Sequence, residues 1–338
     1  MCGIFGIVCQ HDERIDASFA RAVIESLFQL SETRGKEAAG LALHDGEAIH
    51  VLKRACAASR FVRLGDYEHL VRQSLARWTM ARAGRALAVI GHSRLVTNGF
   101  QSTDANNQPV ASAGVVAIHN GIIVNDAELW RRHPELERHA EVDTEIVVNL
   151  VRKHFDSTGN VTEGARLAFG ELQGSASVAA FLDDVDGLVL ATNTGSLFFL
   201  ANDEKTFFAF ASERYILQRL QETDGFTKTV GRCKIQQVGA GQGEFITLQD
   251  LDHTRFSLDG AAARPTRASG KASEKIEIVD HTANRRKNLR RCVRCILPET
   301  YPFMDFDEAG VCRYCRGWRR IEPKGSAALV RAVEPYRS

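Results

Sequence analysis

The chain opens Met1-Cys2-Gly3-Ile4-Phe5-Gly6, and Cys2 is the residue with the most chemistry within its reach. Removal of the initiator methionine, usual before a small residue, would leave a thiol and a free α-amine on one carbon. A terminal amine titrates near pH ~7.7–8.0, well below lysine. It can take the thiol proton, directly or through one water, and later return it to a leaving amine. Nucleophile and general base then sit in a single residue. The plain alternative is a cysteine at the start of an ordinary N-terminal strand. A second reactive set lies near the other end, where Cys292-x2-Cys295 and Cys312-x2-Cys315 are separated by 16 residues. Each pair can hook one edge of a tetrahedral ion, and the loop between them can bring both hooks to a single Zn2+. Four thiolates leave no open coordination position, so the expected zinc is structural. A redox pair or an iron–sulfur centre are the alternatives. So short a segment buries little core, which makes the metal its folding energy.

Elements must hold these groups in place. Short β-rich runs recur at Ile4–Val8, Ala39–Leu43, Ala48–Leu52, Leu87–Gly91, Val115–His119, Ser177–Leu182, Leu188–Ala191, Leu197–Leu200, Phe207–Ala211 and Glu244–Leu248. Turn signals at His44-Asp45-Gly46 and Val185-Asp186-Gly187 predict antiparallel hairpins. Helical periodicity predicts helices over Ser18–Leu30, Asp66–Arg77, Asp143–Phe155, Thr162–Leu172 and Glu213–Gln221, with Asp143 as an N-cap. Many strands with grouped helices favour two packed sheets covered by helices over a doubly wound parallel sheet. No Gly-x-Gly-x-x-Gly or Walker-type phosphate loop is present.

Size and composition bound the rest. The 338 residues, 44% hydrophobic and 25% charged, suit one large domain with a smaller companion. A net charge of +1 gives no global field to favour nucleic acid or a membrane. No apolar run approaches the ~18 residues of a transmembrane helix, and the N-terminus is not of signal-peptide type. The expected location is the cytoplasm. Between Arg264 and Arg294 there are ten Lys/Arg against three Asp/Glu, and the stretch 251–290 reads as a basic, flexible linker. The domain reading is residues 2–250, this linker, a cysteine module over 291–318 and a tail over 319–338.

Further segments fall into register with the N-terminus: Thr33-Arg34-Gly35, Gly91-His92-Ser93-Arg94-Leu95-Val96-Thr97-Asn98-Gly99, His119-Asn120-Gly121 and Val142-Asp143-Thr144-Glu145. Together with Cys2-Gly3-Ile4-Phe5-Gly6 they resemble the class II glutamine amidotransferase domain. That resemblance implies an α+β, four-layer αββα sandwich of N-terminal-nucleophile hydrolase type over residues 2–250. It implies Cys2 as the nucleophile on the glutamine side-chain amide, with the Asn120 side chain and the Gly121 N–H as oxyanion hole. It further implies Arg94 on the substrate carboxylate, Asp143 on its ammonium group, and Thr97, Asn98 and Gly99 lining the same pocket. Arg34 would help seat the Cys2 end. Leu95, Asn98 and Gln108 depart from the sugar-making branch, and Asn107-Gln108-Pro109 is similar to the asparagine synthetase branch, which keeps aspartate open as an acceptor.

The cysteine module, with Ile296-Leu297-Pro298 and Phe306-Asp307 around it, is similar to the start of N-acetyl sugar amidotransferases, where a zinc ribbon precedes an adenylating PP-loop synthetase domain. The Ser-Gly-Gly-x-Asp-Ser loop of such a domain is absent from these residues. The resemblance therefore implies a glutaminase that supplies ammonia to an ATP-dependent PP-loop synthetase in trans, for a sugar of a surface polysaccharide. The rival readings are an N-terminal-cysteine hydrolase of another amide and a catalytically idle zinc-ribbon adaptor. Structural Zn2+ is the one cofactor expected.

Overall fold

Alternation along the strands decides which side chains meet. In β1 (Gly3–Gln10), Phe5, Ile7 and Cys9 face one way and Ile4 and Val8 the other, and both sets are buried. A strand apolar on both faces must be covered on both. The computed structural model describes residues 2–81, 85–95, 106–259, 274–282, 290–299, 301–320 and 322–337. Thr97, Asn98 and Gly99 lie outside the described residues.

Among the described residues the strands form two sheets. The first, in spatial order, is β11 (Gln236–Val238), β9 (Leu197–Ala201), β10 (Phe207–Ala211), β1, β4 (Ala86–Arg94), β2 (Ala38–His44), β3 (Ala48–Arg54) and β14 (Glu277–Asp280). The second is β13 (His253–Ser257), β12 (Gln242–Thr247), β8 (Val185–Thr192), β7 (Gly174–Leu182), β6 (Val115–Ile123) and β5 (Val110–Ser112). Ile4, Ile90, Phe208 and Phe210 from one sheet and Ile118, Phe181, Leu188 and Ile246 from the other fill the space between them. On the outer face of the first sheet lie α1 (Ala17–Ser31), α2 (Ala58–Phe61), α3 (Gly65–Met80), α7 (Arg214–Gln221) and α8 (Phe226–Val230). On the outer face of the second lie α4 (Asp126–Arg132), α5 (Thr144–Thr158) and α6 (Val161–Glu171). The architecture is the αββα sandwich.

The differences from the sequence reading have physical causes. Val185-Asp186-Gly187 lies inside β8, and the β7–β8 turn falls at Asp183-Asp184. Asp143 occupies the N-cap position of α5 but has helical φ and ψ and makes no side-chain cap. Its carboxylate is drawn away instead, accepting the Ile123 N–H at 2.9 Å. Within 251–290, β13 pairs antiparallel with β12 and β14 pairs in parallel with β3. The second compact unit spans residues 285–338 and contains α9 (Arg313–Gly317) and α10 (Ser326–Val333).

Candidate active site

Cys2 immediately precedes β1, and Gly3 pairs with Ser93 of β4. Because β4 runs antiparallel and ends at Arg94, Cys2 and Arg94 share one end of the sheet. Cys2 is buried, 8% exposed, and its Sγ lies 3.4 Å from the Leu95 carbonyl oxygen. Burial pushes the thiol above its ordinary pKa; Asp143 adds to this and Arg94 opposes it. A thiol held up in this way needs a base beside it, and an α-amine on the same carbon meets that need.

The end of β4 is locked by a glycine. A β-carbon at Gly35 would stand 2.1 Å from the Arg94 carbonyl carbon, so no other residue fits there. Arg94 is buried, and its Nη1 donates to Asn107 Oδ1 at 2.6 Å. From the second sheet, β6 brings Asn120 and Gly121 to the same end. Gly121 has φ of 156°, and a β-carbon there would lie 1.9 Å from the Ser175 carbonyl oxygen, which makes glycine obligatory. Asn120 is buried with its Oδ1 unpartnered. Burial acts to raise the Asp143 carboxyl, but His119 and the N–H groups of Ile123 and Thr144 outweigh it and hold the pKa below the usual carboxylate range. Asp143 therefore presents a fixed negative charge where an ammonium group could pair with it. Arg34, in the 3-10 turn Glu32–Arg34, borders Gly3 and pairs with Glu213 ahead of α7.

The structure thus gathers Cys2, Arg94, Asn120, Gly121 and Asp143 at one end of the sandwich, with Arg34 beneath Cys2's neighbour. Thr97, Asn98 and Gly99 lie outside the described residues. Several buried polar atoms around this end lack protein partners: Ser31 Oγ, Arg34 Nε, Ser93 Oγ and Asn120 Oδ1. His92 is fully buried, and burial pulls its pKa down to about 3, so it is neutral. Such a concentration is uncommon in a packed interior and common where substrates bind. Sequence reasoning gave no role to Asn106, Asn107, Gln108 or Thr144, which form the site's buried polar frame. A run of three consecutive amides between apolar strands is the signal that could have marked them.

In the second unit the four sulfurs of Cys292, Cys295, Cys312 and Cys315 lie within 4.8 Å of one another. Cys292 Sγ and Cys315 Sγ are 3.9 Å apart, and Cys295 Sγ and Cys312 Sγ 3.6 Å. With metal–sulfur bonds of ~2.3 Å, a tetrahedral Zn2+ requires sulfurs roughly 3.8 Å apart. Backbone N–H groups of Arg294 and Cys312 point at Cys292 Sγ, at 3.4 and 3.3 Å, as thiolate acceptors require. The donor set fits a metal ion.

Residues 92–219 match the family described as glutamine amidotransferase domain. The chain is 28% identical to a glutamine–fructose-6-phosphate aminotransferase of Bradyrhizobium diazoefficiens, over 90% of this chain and 47% of that protein. It is 31% identical to the corresponding protein of Streptomyces coelicolor, over 62% of this chain and 33% of that one. The chain thus spans about half or less of the length of these curated relatives. Among solved structures it resembles the glutamine phosphoribosylpyrophosphate amidotransferase of B. subtilis, with a TM-score of 0.54 and 19% identity, over 76% of this chain and 49% of that one. Residues 92–219 are thus similar in sequence to a glutamine amidotransferase domain, and the fold is similar to that of the phosphoribosylpyrophosphate amidotransferase.

Proposed function

We propose that this protein hydrolyses L-glutamine to L-glutamate and ammonia through a γ-glutamyl thioester on Cys2, after Met1 is removed. The observation that carries this is the meeting of Cys2, Arg94, Asn120-Gly121 and Asp143 at one end of the sandwich. Arg94 would take the α-carboxylate of glutamine and Asp143 its α-ammonium group. This pair reads a free amino acid and disfavours other amides. The Cys2 amine takes the thiol proton, and the sulfur adds to the side-chain amide carbon. The resulting alkoxide is met by the Asn120 side-chain N–H and the Gly121 N–H. Collapse breaks the C–N bond, and the amine's proton leaves with the nitrogen as ammonia. Water, activated by the same amine, then cleaves the thioester and frees glutamate. Thr97, Asn98, Gly99 and Arg34 complete the pocket in this reading.

The ammonia would pass to an ATP-dependent PP-loop synthetase acting in trans in the cytoplasm, on a sugar of a surface polysaccharide. The four-cysteine module, holding structural Zn2+, would help to dock that partner. Its charge supports the docking: residues 285–338 carry 13 Lys/Arg against 6 Asp/Glu, of chain totals 43 and 42. Tyr301, Phe303 and Trp318 are exposed in the same unit. Among the described residues no helix is long and apolar enough to cross a membrane.

The test is glutamine-dependent ammonia release by protein whose N-terminal mass shows Met1 removed, compared with Cys2→Ala. Loss of release in the variant is expected. Equal release from both would remove Cys2 from the mechanism.

A further inference from the structure

We infer that Gln108 is the positioning residue that sets the spacing between the two ends of the glutamine site. Its side chain is a bridge. Oε1 accepts the His119 N–H at 2.6 Å, and Nε2 donates to Thr144 Oγ1 at 3.0 Å. His119 directly precedes the Asn120-Gly121 oxyanion donors, and Thr144 directly follows Asp143. One amide therefore ties the strand that meets the reacting carbon to the helix head that meets the α-ammonium group. His119 Nδ1 lies 3.4 Å from Thr144 Oγ1 and 3.7 Å from Asp143 Oδ1, and His119 Nε2 lies 3.4 Å from the Ser175 carbonyl oxygen. The two ends are joined by a continuous hydrogen-bonded chain.

The bridge is itself anchored. Lys53 Nζ donates to the carbonyl oxygens of Asn107 and Pro109, at 2.9 and 3.0 Å. The Gln108 carbonyl oxygen packs on Gly40, where a β-carbon would come within 2.2 Å of it. The Asn106 side chain exchanges two hydrogen bonds with Glu141, at 2.8 and 2.9 Å. Next door, Asn107 Oδ1 holds Arg94. Residues 106–109 thus hold Arg94 of β4 directly, and hold the residue before the Asn120-Gly121 donors on β6 and the residue after Asp143 at the head of α5. A displacement of ~1 Å in such a frame can cost on the order of 100-fold in rate.

This inference rests on the glutaminase reading, and the experiment separates the two. Gln108→Met keeps length and volume while removing both polar atoms. Cys2 in wild type and variant is titrated with two reagents: iodoacetamide, which needs only the thiolate, and a glutamine-shaped diazoketone, which must fit both ends of the site. The expected result is a variant alkylated by iodoacetamide within about twofold of wild type but inactivated by the diazoketone at least about tenfold more slowly. Its preference for glutamine over asparagine as substrate should narrow in parallel. Equal diazoketone rates, or equal slowing by both reagents, would overturn the positioning role. Wild type inert to the diazoketone would instead sink the glutaminase reading. Thr144→Val, which cuts the same bridge from its other end, serves if Gln108→Met does not fold, and the same criteria apply to it.

Discussion

Asn120 shows most directly what the site asks of one residue. Its amide is buried with the oxygen unpartnered, which costs of order 1–3 kcal/mol unless something at the site repays it. In the proposed reaction it contributes only when the alkoxide forms. Asn120→Ala should therefore lower kcat for glutamine about 100- to 1000-fold and leave KM nearly unchanged, as steady-state kinetics would show. A matched rise in KM would assign Asn120 to substrate binding instead. Gly121→Ala should abolish activity and lower the melting temperature, because its β-carbon cannot clear Ser175. Cys2 stands out in the sequence by its place beside Met1, whereas Arg94, Asn120, Gly121 and Asp143 were expected at the site only through the resemblance of their motifs. Gln108 was not, since what singles it out is contact with His119 and Thr144, 11 and 36 positions away. Asp143 was legible as a residue and misread as a cap, because a carboxylate ahead of a helix has two possible destinations and only the fold chooses between them.

At the scale of elements, the core strands were legible wherever apolar residues run in short, turn-bounded stretches. β14 was not. Its sequence, Glu277-Ile278-Val279-Asp280, is short and half acidic, and its partner β3 lies more than 220 residues earlier. Side chains beyond the ladder hold it there. His50 Nδ1 lies 3.1 Å from His281 Nε2, Arg77 approaches His50 Nε2 at 2.7 Å, and Arg77 pairs with buried Asp45 at 2.6 Å. His50 Nε2 also lies 3.2 Å from Asp45 Oδ2, so His50 links His281 to the Arg77–Asp45 pair. Burial lowers the His281 pKa; His50, Arg77 and Arg54 add to this, while Asp280 opposes. A histidine whose folded value is depressed contributes its full stability above the unfolded value of ~6.5, and loses it as pH falls through that range. Hydrogen exchange at residues 277–280 should therefore accelerate relative to β1 as pH drops below about 6.5. His281→Gln should flatten that dependence, and an unchanged profile would remove His281 from the latch.

For the molecule as a whole, the net charge of +1 conceals a division of labour. With 13 of 43 Lys/Arg and only 6 of 42 Asp/Glu in residues 285–338, residues 1–284 are left with 30 against 36. The small unit has little else to fold around than its four sulfurs, while the large one has three apolar layers. Chelation should therefore separate them. A strong zinc chelator is expected to strip one metal per chain and expose residues 290–317 to proteolysis, with glutamine hydrolysis by the large unit within about twofold of its starting rate. Parallel loss of hydrolysis would show that the two units depend on one another for stability. The strand β14 also has a consequence for solubility. It pairs with Ala48–Val51 of β3, which would otherwise end the first sheet as an unpaired edge along that stretch. A bare edge of that kind recruits other chains. A protein ended at residue 250, where the sequence suggests the domain stops, should aggregate at concentrations where one ended at residue 284 remains monomeric, and light scattering would distinguish them. In that event β14 is what keeps the large unit from polymerising with itself.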